Sequence, residues 1–315
     1  MICLDNITKE YDTPSGNAGS IVAARMLNLK VSAGEIFGLV GPNGAGKTTT
    51  LKMICGLIAP TAGRVTVNGI DVAVHPEGAQ KFIGYLADFF SLYDDLKVRE
   101  YLEYFARAYK MERAAIPVRV DEVIRQVGLG SKRDSLIHGL SRGMKQRVGI
   151  GRAIIHDPRL LILDEPAAGL DPKARVELKD LLRDLHAKGK TIFITSHILS
   201  DLEEVCTSVA IIEKGQLLRV GRLDEVMRDG RAVRRIRVKL AAADGSMREL
   251  LGVRADVTEI AAGTTGVEFS FSGSDADLAG LVRELVSGGV PVCGVQELSE
   301  NLEQLYMRIS SGEVS

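Results

Sequence analysis

The sequence predicts an α/β domain built on a largely parallel sheet, with an antiparallel β subdomain and a helical insert. A small α+β domain follows at the C-terminal end. Three observations carry this prediction. Short continuous apolar runs alternate with helical patterns through residues 1–220. Residues 97–128 interrupt that alternation with apolar side chains at helical spacing alone. A composition shift after Arg228 then precedes a fresh start of period-two alternation. The 315 residues are about twice the ~150 of a typical domain, which leaves room for both parts.

Taken along the chain, residues 20–31 and 64–74 alternate at period two and predict antiparallel strands beside the main sheet. Residues 35–40 (EIFGLV) read as a buried strand and 47–56 as a helix. In the insert, placed at about 88–158, Val98, Leu102 and Phe105 and then Val120, Val123, Ile124 and Val127 mark helices. A further helical stretch covers 147–156. Leu160–Leu163 is a second buried strand, 173–188 a helix and 191–195 a third strand. The boundary falls near Gly230, which gives an N-terminal domain of residues 1–229 and a C-terminal one of 230–315. In the latter, Ile236/Val238/Leu240 and Val267/Phe269/Phe271 alternate as strands, and Leu278/Leu281/Val282/Leu285 step as a helix. A strand at 290–295 and a helix through Leu302, Leu305, Tyr306 and Ile309 complete a small β-α-β-β-α-β, ferredoxin-like unit.

Composition excludes several classes of function. Forty Lys and Arg against 41 Asp and Glu leave a formal charge of −1, with no global pull towards nucleic-acid backbones or anionic lipid. Aromatics at 5% without Trp argue against base-stacking platforms, so no nucleic-acid partner is expected. The basic run from Arg228 to Lys239 places Arg235, Arg237 and Lys239 on one strand face, which reads as a solvated surface. No window approaches the ~20 apolar residues of a membrane span, and the first residues lack a signal pattern, so a cytoplasmic location is expected. Four dispersed cysteines and five histidines without metal-ligand spacing read as reduced thiols and ordinary histidines.

Any anion must therefore be held locally, and one segment is built for that. Gly41, Pro42, Asn43, Gly44, Ala45, Gly46, Lys47 and Thr48, followed by Thr49, fit the phosphate-loop template between a predicted strand and a predicted helix. Glycines let the backbone curl around a β-phosphate with its N–H groups inward, and the helix adds the positive end of its dipole. Lys47 would reach the β and γ oxygens and Thr48 would ligate Mg²⁺. The apolar run Leu160–Leu163 ends in Asp164 and Glu165. Asp164 would hold Mg²⁺, and Glu165 would act as general base towards the attacking water.

Between these elements lies LSRGMKQR, from Leu140 to Arg147, 23 residues ahead of Asp164 when counted from Ser141. It resembles the signature motif of ATP-binding cassette (ABC) ATPases, and the resemblance spans roughly residues 1–225. It implies ATP and Mg²⁺ as ligands, Tyr11 as the aromatic that stacks adenine, and Ala168-Gly169-Leu170-Asp171 as the D-loop. His197, 33 residues after Asp164, would be the switch histidine. Ser141 and the Gly143 amide would clamp the ATP of a second ATPase subunit, so the resemblance implies a dimer, expected to be a homodimer. Two signature positions depart from the usual pattern, with Arg142 in place of Gly and Met144 in place of Gln. At the Q-loop position stands Asp88 rather than Gln; a carboxylate can still meet Mg²⁺ or its water but only accepts hydrogen bonds.

Within the family the insert and the extra C-terminal unit look most like the ATPase subunits of ABC-2-type exporters. That implies an ATP-hydrolysing motor at the cytoplasmic face of the membrane, with a membrane-spanning permease docked near residues 89–93 through Phe89, Phe90 and Tyr93. The alternatives are a soluble ABC-type ATPase acting on a nucleic-acid or ribosomal partner, or a regulatory ATP-binding subunit.

Overall fold

The structure, a computed structural model, describes residues 1–12, 20–228, 234–241, 246–263, 266–298, 302 and 305–307. Two compact units divide it, Met1–Val226 and Met227–Ser315. The residues around the expected boundary at 229–230 lie outside those described.

In the first unit β1 (Ile2–Asp12) pairs antiparallel with β2 (Ser20–Val31). The fully buried β3 (Ile36–Val40) runs through a glycine-rich loop into α1 (Lys47–Ile54). Next come β4 (Ala62–Val67) and β5 (Ile70–Asp71), joined by an Asn68-Gly69 turn with both φ angles positive. Strand structure was expected to continue to residue 74. It stops at Asp71, whose carboxylate accepts the N–H groups of Ala73 (3.0 Å) and Val74 (3.4 Å) and folds the chain into a turn.

The chain continues through α2 (Pro76–Gln80) and β6 (Ile83–Leu86) into the helical insert of α3 (Val98–Ala108), α4 (Ile116–Gln126) and α5 (Arg142–Ile154). Helix α5 begins five residues earlier than the apolar pattern indicates. Ser141 caps it by accepting the Met144 N–H at 3.3 Å, so the first turns are polar and carry no hydrophobic period. Strand β7 (Leu160–Leu163) follows, then α6 (Pro172–Ala187), which is capped by Asp171 and buries Leu178, Leu181, Leu182 and Leu185. Then come β8 (Thr191–Ser196), α7 (Leu199–Glu203), β9 (Ser208–Glu213), β10 (Gln216–Arg222) and α8 (Leu223–Arg228), within which the first unit ends at Val226.

The strands form two sheets, ordered β2-β1-β4-β5 and β10-β9-β3-β8-β7-β6. The first is antiparallel, and the second is parallel except at β10. One core joins them: Ile2, Leu4, Ile7, Leu27 and Leu29 meet Leu51, Met53 and Ile54 of α1 and Phe37 and Phe193 of the parallel sheet. In the other unit β11 (Arg234–Leu240), α9 (Ser246–Gly252), β12 (Val257–Gly263), β13 (Gly266–Phe271), α10 (Asp275–Ser287) and β14 (Val292–Leu298) follow the expected β-α-β-β-α-β order. The sheet is antiparallel and ordered β12-β13-β11-β14. Of the final predicted helix, Leu302 and residues 305–307 are described, whereas Ile309 lies outside the described residues.

Candidate functional site

Parallel packing brings the C-terminal ends of β3, β6, β7 and β8 to one edge of the sheet, where loops rather than strands must satisfy the chain. At the end of β3 the loop turns through Gly46 at φ +103°, a conformation closed to other residues, and a β-carbon there would run into the Ala23 carbonyl. Gly46 offers no side-chain cap, so the first N–H groups of α1 are left to an external anion. The Lys47 ammonium, 6% exposed, donates to the carbonyls of Gly41 (2.8 Å) and Pro42 (3.2 Å) and lies 3.3 Å from a Glu165 oxygen.

Asp164 is 1% exposed at the end of β7. One of its oxygens accepts the Thr48 hydroxyl at 2.9 Å and the other the Thr195 hydroxyl at 2.7 Å. The same Thr195 oxygen accepts the Glu165 N–H at 3.0 Å. Glu165 adopts a left-handed φ of +47°, and its carboxylate sits between Lys47 and His197, whose Nδ1 is 2.7 Å away and whose N–H donates at 3.2 Å. Asp88 follows β6 beside these acids. Lost hydration and repulsion from Asp164 and Glu165 push its carboxyl above the usual range, opposed by His197 and Arg142. The phenol of Tyr85 on β6 is also pushed up, by burial and by Asp164.

Lys47, Thr48, Asp164, Glu165 and His197 thus converge, with Asp88 at the margin. Tyr11 stands apart on the antiparallel sheet, opposite Ile21, with its ring 40% exposed and the Lys9 ammonium 5.2 Å from the ring centre. Ser141 and Gly143 belong to a second cluster at the start of α5, where Gly143 lies against Ala174 of α6. The three aromatics after β6 are separated by the structure. Phe89 is 95% exposed. Tyr93 is half-exposed and edge-on to Tyr101 and Tyr104, whereas Phe90 packs into the slot left by Gly149 under the Arg152 guanidinium.

Two site residues escaped the sequence reading. Thr195 gives itself away only as a hydroxyl ending an apolar run (TIFITS). Arg142, noted as a departure from pattern, donates to the Ala168 carbonyl at 3.0 Å. Among the described residues no group of three or more His, Cys, Asp or Glu is placed to hold a metal alone. The Thr48 hydroxyl and Asp164 carboxylate form a hard two-oxygen set suited to Mg²⁺, which takes few protein ligands and completes its shell with phosphate oxygens and water.

This fold and site define a nucleotide-binding cassette, and the comparisons agree. Residues 24–168 match the ABC transporter family model. The chain is 38% identical over 213 residues to the Nod factor export ATP-binding protein I of Rhizobium etli, covering 68% of this chain and 67% of that one. For the protein of the same name from Paraburkholderia xenovorans the identity is 39%, with 67% and 70% covered. In the Rhizobium meliloti relative the match spans 64% of its length. A solved ATP-binding subunit of an ABC transporter superposes with a TM-score of 0.63 at 33% identity, covering 72% of this chain and 92% of that one. A bacterial ABC transporter cassette solved as a dimer gives 0.63 at 27%, covering 71% and 99%. The chain belongs to the ATP-binding subunits of ABC transporters.

Proposed function

We propose that this chain is the Mg²⁺-dependent, ATP-hydrolysing motor of a membrane exporter, working as a dimer with a separate membrane-spanning subunit. The observation that carries the chemistry is the Glu165 carboxylate, held between Lys47 and His197 one residue beyond the Asp164–Thr48 pair. The loop 41–46 and the first N–H groups of α1 bind the triphosphate, with Lys47 on its β and γ oxygens. Thr48 and Asp164 would hold Mg²⁺, with Asp88 as a further oxygen donor. When bound, that ion would neutralise charge on the transferred phosphoryl group. Glu165 accepts the proton of the attacking water, and His197 fixes the orientation of Glu165. Tyr11 stacks adenine.

Ser141 accepts the Met144 N–H as a helix cap, so its own proton remains available to an acceptor. With the Gly143 amide and the α5 dipole, it clamps the γ-phosphate held by the second subunit, and ATP thereby closes the dimer. Among the described residues no helix is long and apolar enough to cross a membrane. Attachment at the cytoplasmic face falls to the permease, which takes up the exposed Phe89 and Tyr93. The decisive variant is Glu165→Gln. It is expected to bind ATP, lose turnover by about a hundredfold or more and accumulate as an ATP-bound dimer in size-exclusion chromatography, because only the base is gone. Near-normal phosphate release by that variant removes Glu165 from its role.

A further inference from the structure

Arg142, in the first turn of α5 and a departure from the family pattern, donates through Nη2 to the Ala168 carbonyl at 3.0 Å. Its guanidinium lies flat on Gly169, at φ +66°, so closely that a β-carbon there would overlap it. The Ala168 N–H in turn donates to the Glu165 carbonyl at 3.0 Å. Arg142 is thus two hydrogen bonds from the backbone of Glu165.

We propose that Arg142 is a positioning residue that holds the D-loop of its own chain, through the Ala168 carbonyl and the face of Gly169, and with it the backbone that follows Glu165. The planar guanidinium covers Gly169 and reaches the Ala168 carbonyl together, which an ammonium cannot.

The inference rests on the proposed ATPase reading, and its test separates the two. Full-length wild type, Arg142→Gly and Arg142→Gln are compared in MgATP turnover. Arg142→Gly is expected to lose about tenfold in kcat with KM changed by less than about twofold. Arg142→Gln, which retains a donor for the Ala168 carbonyl, is expected to recover most of that loss.

A readout without turnover is hydrogen exchange of the amides at 167–171. It is expected to be about fivefold or more faster in Arg142→Gly than in wild type, and near wild type in Arg142→Gln. Wild-type kcat or unchanged exchange in Arg142→Gly would each overturn the proposal. A wild type that turns over no ATP overturns the ATPase reading instead, and the exchange result still decides whether Arg142 holds the loop.

Discussion

Thr195 shows how much of the site depends on one hydroxyl. It donates to the buried Asp164 and accepts from the Glu165 amide, so a single oxygen sets the positions of both acids. Thr195→Val is nearly isosteric but leaves a buried carboxylate oxygen and an N–H unpaired. It is expected to cost about 1–3 kcal/mol in denaturant unfolding. Because the oriented group is Asp164, a roughly 10–100-fold higher Mg²⁺ requirement for ATP hydrolysis is also expected, read by Mg²⁺ titration. Thr195→Ser restores the oxygen and should recover most of both effects. An unchanged Mg²⁺ requirement in Thr195→Val would show that Asp164 is held well enough by Thr48 alone.

The segment between β6 and α3 separates packing from docking at the level of an element. The smallness of Gly149 on α5 opens a slot that Phe90 fills, with Arg152 stacked over the ring. Phe89, one residue earlier, points to solvent and is 95% exposed, which leaves its ring open to a partner. Phe90→Ala is expected to destabilise the isolated protein by about 2–4 kcal/mol, measured by thermal or denaturant unfolding. Phe89→Ala should leave unfolding and basal ATPase within error and release the chain from membranes that contain the permease. Membrane association that survives Phe89→Ala and Tyr93→Ala together would move the docking surface elsewhere.

For the whole molecule, the two units have separate cores. In the second, Ile236, Val238, Phe269 and Phe271 of the sheet meet Met247, Leu251, Leu281 and Leu285 of its helices in a core of that unit's own. A unit that has a core of its own can unfold separately. Calorimetry is expected to show two transitions, of which only the one belonging to the cassette rises with MgATP, since ligand bound to one native unit stabilises that unit alone. A single transition that moves as a whole with nucleotide would mean that the units unfold as one.

What can be read from the sequence is whatever chemistry is contained in contiguous residues. The loop 41–46 with Lys47 and Thr48, and the acid pair closing Leu160–Leu163, declare a phosphate site because each needs only its own neighbours along the chain. Buried strands and amphipathic helices were legible for the same local reason. Strand β1 was not: register shifts between Leu4 and Ile7, and again around Lys9, break its alternation, so its burial pattern has no clean period of two. Periodicity reports which face of an element is buried but not its neighbour. The order β10-β9-β3-β8-β7-β6 was decided only by tertiary pairing. That pairing sets Thr195 against Asp164, 31 residues away, and His197 against Glu165, and the packing of α5 sets Arg142 against Ala168. Such contacts depend on long-range register and on the small residues that permit close approach, and these exist only once the sheet and the insert have packed.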